Sequence, residues 1–457
     1  MATNILRYLS AIIIALSAQF YSYASESSDS LLNLLFQGRC FEARELYSTL
    51  NKDSISQAAQ TFYKYKDCYF NNDLEGARKY LNRFIDDDLD KIPAEQKFLF
   101  LNLLVDLETE ARDYSELEKS YFKILNILDT PPFNNAEYSQ WSEAQKKILN
   151  EYIYIARHNK RIVPQMRVST IMGKESRINF AYDKTGSIIN CPSSLNERSC
   201  LVTIDTGLGV PCLLKQQAAD SLGLNRIDFQ LDSLSFNGVA TAVYATLIDS
   251  LDIANKRFYN ILGVVMQESN AKDCKELPVD IILGLPALRE LEGININWIN
   301  QELAFTNDTS NEHKELDYAE MYILYNCLYS KLYLNNHPFV GMLDTGYGAS
   351  PVSLYSTYFT PIETDFIINN SSTRQVGTIN YTFMSTLLNL DNIDVKLSRD
   401  SETYRINNAD VILDTPITFG IRDGIIGLSF YKEISKSTHI DFQNMKIGIT
   451  PLNLTKQ

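Results

Sequence analysis

Two short segments of this 457-residue chain carry the same residue types in the same order. Val202-Thr203-Ile204-Asp205-Thr206-Gly207 and Gly341-Met342-Leu343-Asp344-Thr345-Gly346 each run from apolar residues into Asp-Thr-Gly, and the two Asp residues lie 139 positions apart. Two carboxyl groups are enough for acid–base hydrolysis if the fold brings them together. At a separation of about 3 Å they do not ionise together easily, so they share one proton and titrate as a pair. The ionised member can take a proton from a water held between them, while the protonated member donates to a carbonyl oxygen. Neither segment says which Asp is the acid and which the base. Gly207 and Gly346 allow a tight turn and a close approach of the backbone to the carboxylates.

Other chemistries lack their residues. His158, His313, His337 and His439 are scattered without metal-ligand spacing, so no metal is expected and each His reads as a surface or turn residue. No nucleophile elbow, Walker loop or dinucleotide glycine fingerprint occurs, and no cofactor is expected. Cys212 has no nucleophile context and reads as a buried strand residue. The run Asp86-Asp87-Asp88 reads as a solvated helix end. With 56 acidic against 42 basic residues and a formal charge of −14, the chain lacks the basic excess of a nucleic-acid binder.

The elements that must position the pair begin near residue 165. Short runs rich in Ile, Val, Leu, Phe and Tyr, at 177–182, 201–205, 239–247, 257–265, 321–325 and 339–343, alternate with polar turn clusters, the pattern of an all-β sandwich or barrel. Residues 215–222 read as a short helix ending at Gly223. Further landmarks recur in order: Asp280-Ile281-Ile282-Leu283-Gly284-Leu285 with Asp423-Gly424-Ile425-Ile426-Gly427-Leu428, and Ile296-Asn297-Trp298 with Ile440-Asp441-Phe442, offset by 143 and 144 residues. Nearly constant offsets imply an internal duplication. Each Asp-Thr-Gly is then followed, about eighty residues later, by an apolar-apolar-Gly at Gly284 or Gly427.

On these motifs residues 165–455 resemble two tandem lobes of the pepsin and retropepsin superfamily of aspartic proteases. The resemblance implies a bilobal β-barrel fold with one catalytic Asp per lobe, Asp205 and Asp344, completed within a single chain and therefore expected to be monomeric. It implies that Thr206 and Thr345 hydrogen-bond across the lobe interface, and that the strands ending at Gly284 and Gly427 run beside the two active-site loops. A substrate-covering flap falls at Phe236-Asn237-Gly238-Val239, a hairpin-turn signal between apolar runs. The second half offers Gln375-Val376-Gly377-Thr378. Ordinary surface hairpins are the equal alternative for both. The family usually has a small residue after Asp-Thr-Gly, whereas this chain has Leu208-Gly209 and Tyr347-Gly348. Bulky neighbours add desolvation, which pushes a carboxyl pKa upward and predicts a pH optimum nearer neutral than that of gastric-type enzymes.

The N-terminal third differs in character. Arg7, an apolar run at 9–18 and Ser22-Tyr23-Ala24 have the form of a secretory signal peptide cleaved near Ala24, with an uncleaved anchor as the alternative. The apolar run is too short to span a bilayer, so no transmembrane segment is expected in the mature chain. Residues 25–163 show helical periodicity and a 34-residue echo, Ala43-Arg44 with Ala77-Arg78. This resembles tetratricopeptide repeats; an irregular bundle fits equally. In an exported protein with seven Cys, disulfides are expected, Cys40–Cys68 and Cys191–Cys200 first, with Cys212, Cys274 and Cys327 left open.

The expectation is therefore a multidomain α plus all-β chain. A signal peptide occupies 1–24, a helical domain 25–163, lobes 164–306 and 318–457, and a linker 307–317. The leading function is a secreted or periplasmic aspartic endopeptidase acting on an extended peptide or protein, with no nucleic-acid partner. The helical domain would recruit a protein partner or inhibit the site. A catalytically silent protease fold that binds peptides or envelope partners is the alternative.

Overall fold

The computed structural model describes residues 26–87, 94–182, 188–229, 233–236, 239–267, 279–305, 316–378, 381–413 and 422–452. The signal-peptide segment, the turn residues Asn237 and Gly238, Cys274, His313 and most of the expected linker lie outside them. The chain divides into two compact units between Gln165 and Met166.

The first unit is helical among its described residues: Glu26–Phe36, Cys40–Thr49, Gln57–Phe70, Leu74–Asp87, Ala94–Ala111, Tyr114–Leu128 and Ser139–Ile162. The 34-residue echo has a structural counterpart. Ala43 and Ala77 are both buried, each on the second helix of a pair. The Arg that follows each one reaches the next pair: Arg44 donates to Asp67 and Asn71, both at 2.8 Å, and Arg78 forks onto Glu108 at 2.7 and 2.6 Å. Among the described residues no helix is long and apolar enough to cross a membrane.

The second unit holds two β lobes built to one plan. In the first, Ile189–Leu195, Arg198–Asp205, Ile281–Gly284, Cys212–Lys215, Lys256–Met266 and Val239–Ile253 pair in that order, and the last pairs back onto the first to close a barrel. In the second, the order is Cys327–Leu334, His337–Asp344, Gly424–Gly427, Val352–Tyr355, Ala409–Ile412 and Tyr381–Asp391. The ring closes through Ile393–Lys396, which follows Tyr381–Asp391 and pairs with Cys327–Leu334. Alternation along each strand sends Val202, Ile204, Leu283, Leu343 and Ile426 into the shared apolar core.

An antiparallel extension of the second barrel, continuous with it where Asp317–Leu324 pairs with Cys327–Leu334, joins the lobes. Its strands run Arg177–Asn179, Glu302–Ala304, Gly293–Asn297, Ser435–Asp441, Lys446–Pro451 and Asp317–Leu324. Gly293–Asn297 and Ser435–Asp441 are duplicated copies of one strand, and they pair with each other. Asn295 faces His439, its own equivalent at the 144-residue offset, so the pseudo-twofold axis passes through that pair. The flanking bonds obey the same symmetry: Trp298 N–H donates to the Lys436 carbonyl, and Phe442 N–H to the Glu292 carbonyl, at 2.9 and 3.1 Å.

Three expectations change. His439 is buried in this sheet rather than lying in a surface turn. Asp317 already belongs to a strand, so the linker is shorter than 307–317. No disulfide joins the described cysteines. The register sets Cys191 opposite Val202 and Cys200 opposite Ser193, so these two are diagonal rather than facing, and Cys40 and Cys68 are both free thiols.

Candidate active site

Asp205 and Asp344 are the last residues of equivalent strands, and each is held by the strand beside it. Ile281–Gly284 lies parallel to Arg198–Asp205 with Gly284 level with Asp205, and Gly424–Gly427 repeats this with Gly427 level with Asp344. The loop leaving each Asp folds over that neighbouring glycine. Gly284 N–H donates to the Pro211 carbonyl and Gly427 N–H to the Pro351 carbonyl, both at 2.9 Å. A Cβ on Gly284 would lie 2.0 Å from the Val210 carbonyl oxygen, and one on Gly427 2.7 Å from that of Ser350. Only glycine fits under these loops.

The two loops then grip each other. Thr206 Oγ1 donates to the Leu343 carbonyl at 2.7 Å and accepts from Thr345 N–H at 3.1 Å. Reciprocally, Thr345 Oγ1 donates to the Ile204 carbonyl at 2.8 Å and accepts from Thr206 N–H at 3.0 Å. Both threonines are buried, so four backbone groups of the interface depend on two hydroxyls.

This grip sets the carboxyl groups against each other. Gly207 N–H donates to Asp205 Oδ1 at 2.8 Å and Gly346 N–H to Asp344 Oδ1 at 2.9 Å. Each glycine also backs the opposite Asp. A Cβ on Gly207 would fall 2.4 to 2.6 Å from the Asp344 carboxyl, and one on Gly346 2.5 to 2.9 Å from that of Asp205. The two carboxyls thus face each other across Gly207 and Gly346, near enough for the charge of Asp205 to act on Asp344, an arrangement in which a pair shares one proton.

Electrostatics agree with that state. Burial pushes the Asp205 pKa up, and the Gly207 N–H, the Asp344 carboxyl and the N–H groups of Gly346 and Leu208 oppose it. Burial pushes Asp344 up strongly, the Asp205 charge adds to the rise, and the N–H groups of Gly346 and Tyr347 oppose it. The pair therefore keeps one proton well above the ordinary aspartate range. Each Asp is only partly exposed to solvent. A half-protonated pair of this kind can polarise a water and protonate a carbonyl oxygen.

The residues after the triplets differ. Leu208 is buried in a small aliphatic cluster with Leu213, Val243, Val264 and Ile282. Tyr347 packs beside Tyr355 and Ile425, and its hydroxyl is 2.7 Å from Ser353 Oγ. Cys212 is buried in the first barrel, where desolvation raises its thiol pKa, as suits a strand residue rather than a nucleophile. Among the described residues no three or more His, Cys, Asp or Glu side chains come together as a metal-ligand group.

Each lobe carries a hairpin. Ser233–Phe236 pairs with the start of Val239–Ile253, so the chain reverses between Phe236 and Val239. In the second lobe Ile367–Thr378 pairs with Tyr381–Asp391 and reverses between Thr378 and Tyr381. Val376 and Gly377 are thus strand residues, opposite Phe383 and Thr382, and not the turn that Gln375-Val376-Gly377-Thr378 suggested. The equivalent of Phe236-Asn237-Gly238-Val239 is Thr378-Ile379-Asn380-Tyr381.

No family model and no curated protein matches the chain. Three similar solved structures are partial matches. A retropepsin-like aspartic protease from Rickettsia conorii is 20% identical over 30% of this chain and 91% of its own, with a TM-score of 0.21. An EIAV protease complexed with the inhibitor HBY-793 is 13% identical over 23% and 84%, with a TM-score of 0.17. The structure titled edgp is 10% identical over 61% and 95%, with a TM-score of 0.37. These scores assign no family to the chain.

Proposed function

We propose that residues 166–457 form an aspartic peptidase that hydrolyses an extended polypeptide with Asp205 and Asp344 as the catalytic pair. One observation carries this reading: two buried loops, tied together by reciprocal threonine bonds, hold two facing carboxyls that are still partly exposed. In the reaction the ionised carboxylate takes a proton from water as that water attacks the scissile carbonyl. The protonated partner donates to the carbonyl oxygen, and collapse of the tetrahedral intermediate returns the pair to its starting state with a proton delivered to the leaving amine. Leu208 and Tyr347 pack into their own lobes, which leaves the pair available and speaks against a silent, peptide-binding fold.

The hairpins are suited to lie over a bound strand and add backbone hydrogen bonds to it. The helical unit, with its echoed Ala-Arg pairs, suits docking of a protein partner in the manner of tetratricopeptide repeats. The N-terminal sequence suits export to a periplasm or the cell exterior.

Incubation with a mixed peptide library tests the proposal. The wild-type chain is expected to cleave internal bonds, and Asp205→Asn or Asp344→Asn to lower the rate by on the order of a thousandfold or more. Equal cleavage by either variant and the wild type would refute it.

A further inference from the structure

The duplication pairs every position of one half-site with a position of the other, and three rows beside the catalytic pair have changed character together. Leu208 corresponds to Tyr347, Leu213 to Ser353 and Val279 to Arg422; the register fixes the second row, since Leu213 faces Ile282 and Ser353 faces Ile425. Leu208, Leu213 and Val279 pack in one cluster, the Tyr347 and Ser353 hydroxyls are 2.7 Å apart, and the two rings beside Arg422 share the face of Met342, since Tyr322 faces Tyr329 and Tyr329 faces Met342. Leu343 and Ile426 point into the barrel, while Met342 and Ile425 join Tyr347 and Tyr355 on the other side.

The second half-site also holds a cation, Arg422, where the first has Val279. The Arg422 guanidinium lies 5.3 and 5.4 Å from the ring centres of Tyr322 and Tyr329, which stack on each other at 5.2 Å. Among the described residues it makes no ion pair, and its Nε and Nη2 have no hydrogen-bond partner. Tyr329 lies opposite Met342, two residues before Asp344. In the first half-site the equivalents of Tyr329 and Met342 are Asn190 and Thr203, which bond to each other at 2.6 Å, and Val279 carries no charge.

Resting on the peptidase reading, we infer that the two half-sites read different side chains, and that the one on the side of Asp344 takes an acidic residue, Asp or Glu, against Arg422. A guanidinium standing beside the two stacked rings carries N–H donors that a carboxylate can accept from, and a hydrogen bond to a charged group is the kind of contact that separates a carboxylate from its amide isostere.

The test is a cleavage-site profile of the full chain with peptides that carry Glu, Gln, Leu or Lys at each position flanking the scissile bond. Wild type is expected to favour Glu over Gln by on the order of tenfold in kcat/KM at one position, on one side of the bond only. Arg422→Val, which installs the first-lobe residue, should bring that ratio close to one, and Arg422→Lys should retain part of it. Arg422→Glu should favour Lys instead. Cleavage by the wild type with no Glu preference at any position would overturn this inference and leave the peptidase reading standing; absence of cleavage of every peptide would overturn both. A Glu preference that persists in an active Arg422→Val chain would also overturn it, by showing that the ring contacts are structural.

Discussion

At the scale of single residues the catalytic pair sets a trade between stability and chemistry. A carboxyl whose pKa is raised on folding binds more protons in the native than in the unfolded state. Stability therefore falls as pH rises from the ordinary aspartate range towards the raised value. Asp344→Asn removes that penalty, so its unfolding midpoint is expected to exceed that of the wild type near neutral pH and to converge with it in acid. Thermal unfolding at both pH values checks this, and a midpoint unchanged at neutral pH would contradict it. The threonines behave oppositely. Thr206→Val would strip partners from the Leu343 carbonyl and the Thr345 N–H, at a cost of about 1–3 kcal/mol for each orphaned group. Thr206→Ser should restore most of it, which denaturant titration can measure.

The pair was legible in the sequence because its chemistry is local: Asp-Thr-Gly names the carboxyl, the hydroxyl and the close-approach glycine in one triplet. Contacts set by register were not. Nothing near Arg422 in the chain announces Tyr322 and Tyr329, which lie almost a hundred residues upstream and meet it only across the sheet. His439 looked like an isolated polar residue because its burial comes from facing Asn295, its own copy.

At the scale of elements, the strand ending in apolar-apolar-Gly is what fixes each loop. Gly284→Ala would drive a methyl group into the Val210 carbonyl, and Gly427→Ala into those of Ser350 and Tyr347. Both should lose cleavage activity, with Gly284→Ala the worse because its clash is closer; soluble yield and rate measured together would show the ranking. The hairpins illustrate the limit of turn signals. Asn237-Gly238 is strong turn chemistry and marks the first reversal, whereas in the second lobe Gly377 drew the turn two residues too early. There the ladder continues past Gly377 to Thr378 opposite Tyr381, so pairing along Ile367–Thr378 decides the matter. The cysteines fail for a similar reason: sequence proximity of Cys191 and Cys200 says nothing about register, which sets them diagonally.

For the whole molecule, duplication explains both the shared and the divergent parts. The interlobe sheet, the loops and the threonine bonds obey the twofold relation, while the side-chain rows on either side of the pair do not. Raised pKa values at both Asp residues shift the working range upward. The acid limb of a pH–rate profile follows the first ionisation of the pair and the basic limb the second, so activity should peak above about pH 4. Because the β unit has its own core, a chain beginning at Met166 is expected to fold and to retain cleavage of short peptides.

The claim on which all of this depends is that one proton is shared between Asp205 and Asp344. Carboxyl-carbon NMR of selectively labelled aspartate, followed through a pH titration, measures it directly. The wild type should show two coupled signals, with the second ionisation well above the ordinary aspartate range. Asp344→Asn should abolish the coupling and return Asp205 to a single titration step. Two independent carboxyls ionising near pH 4 in the wild type would contradict the account.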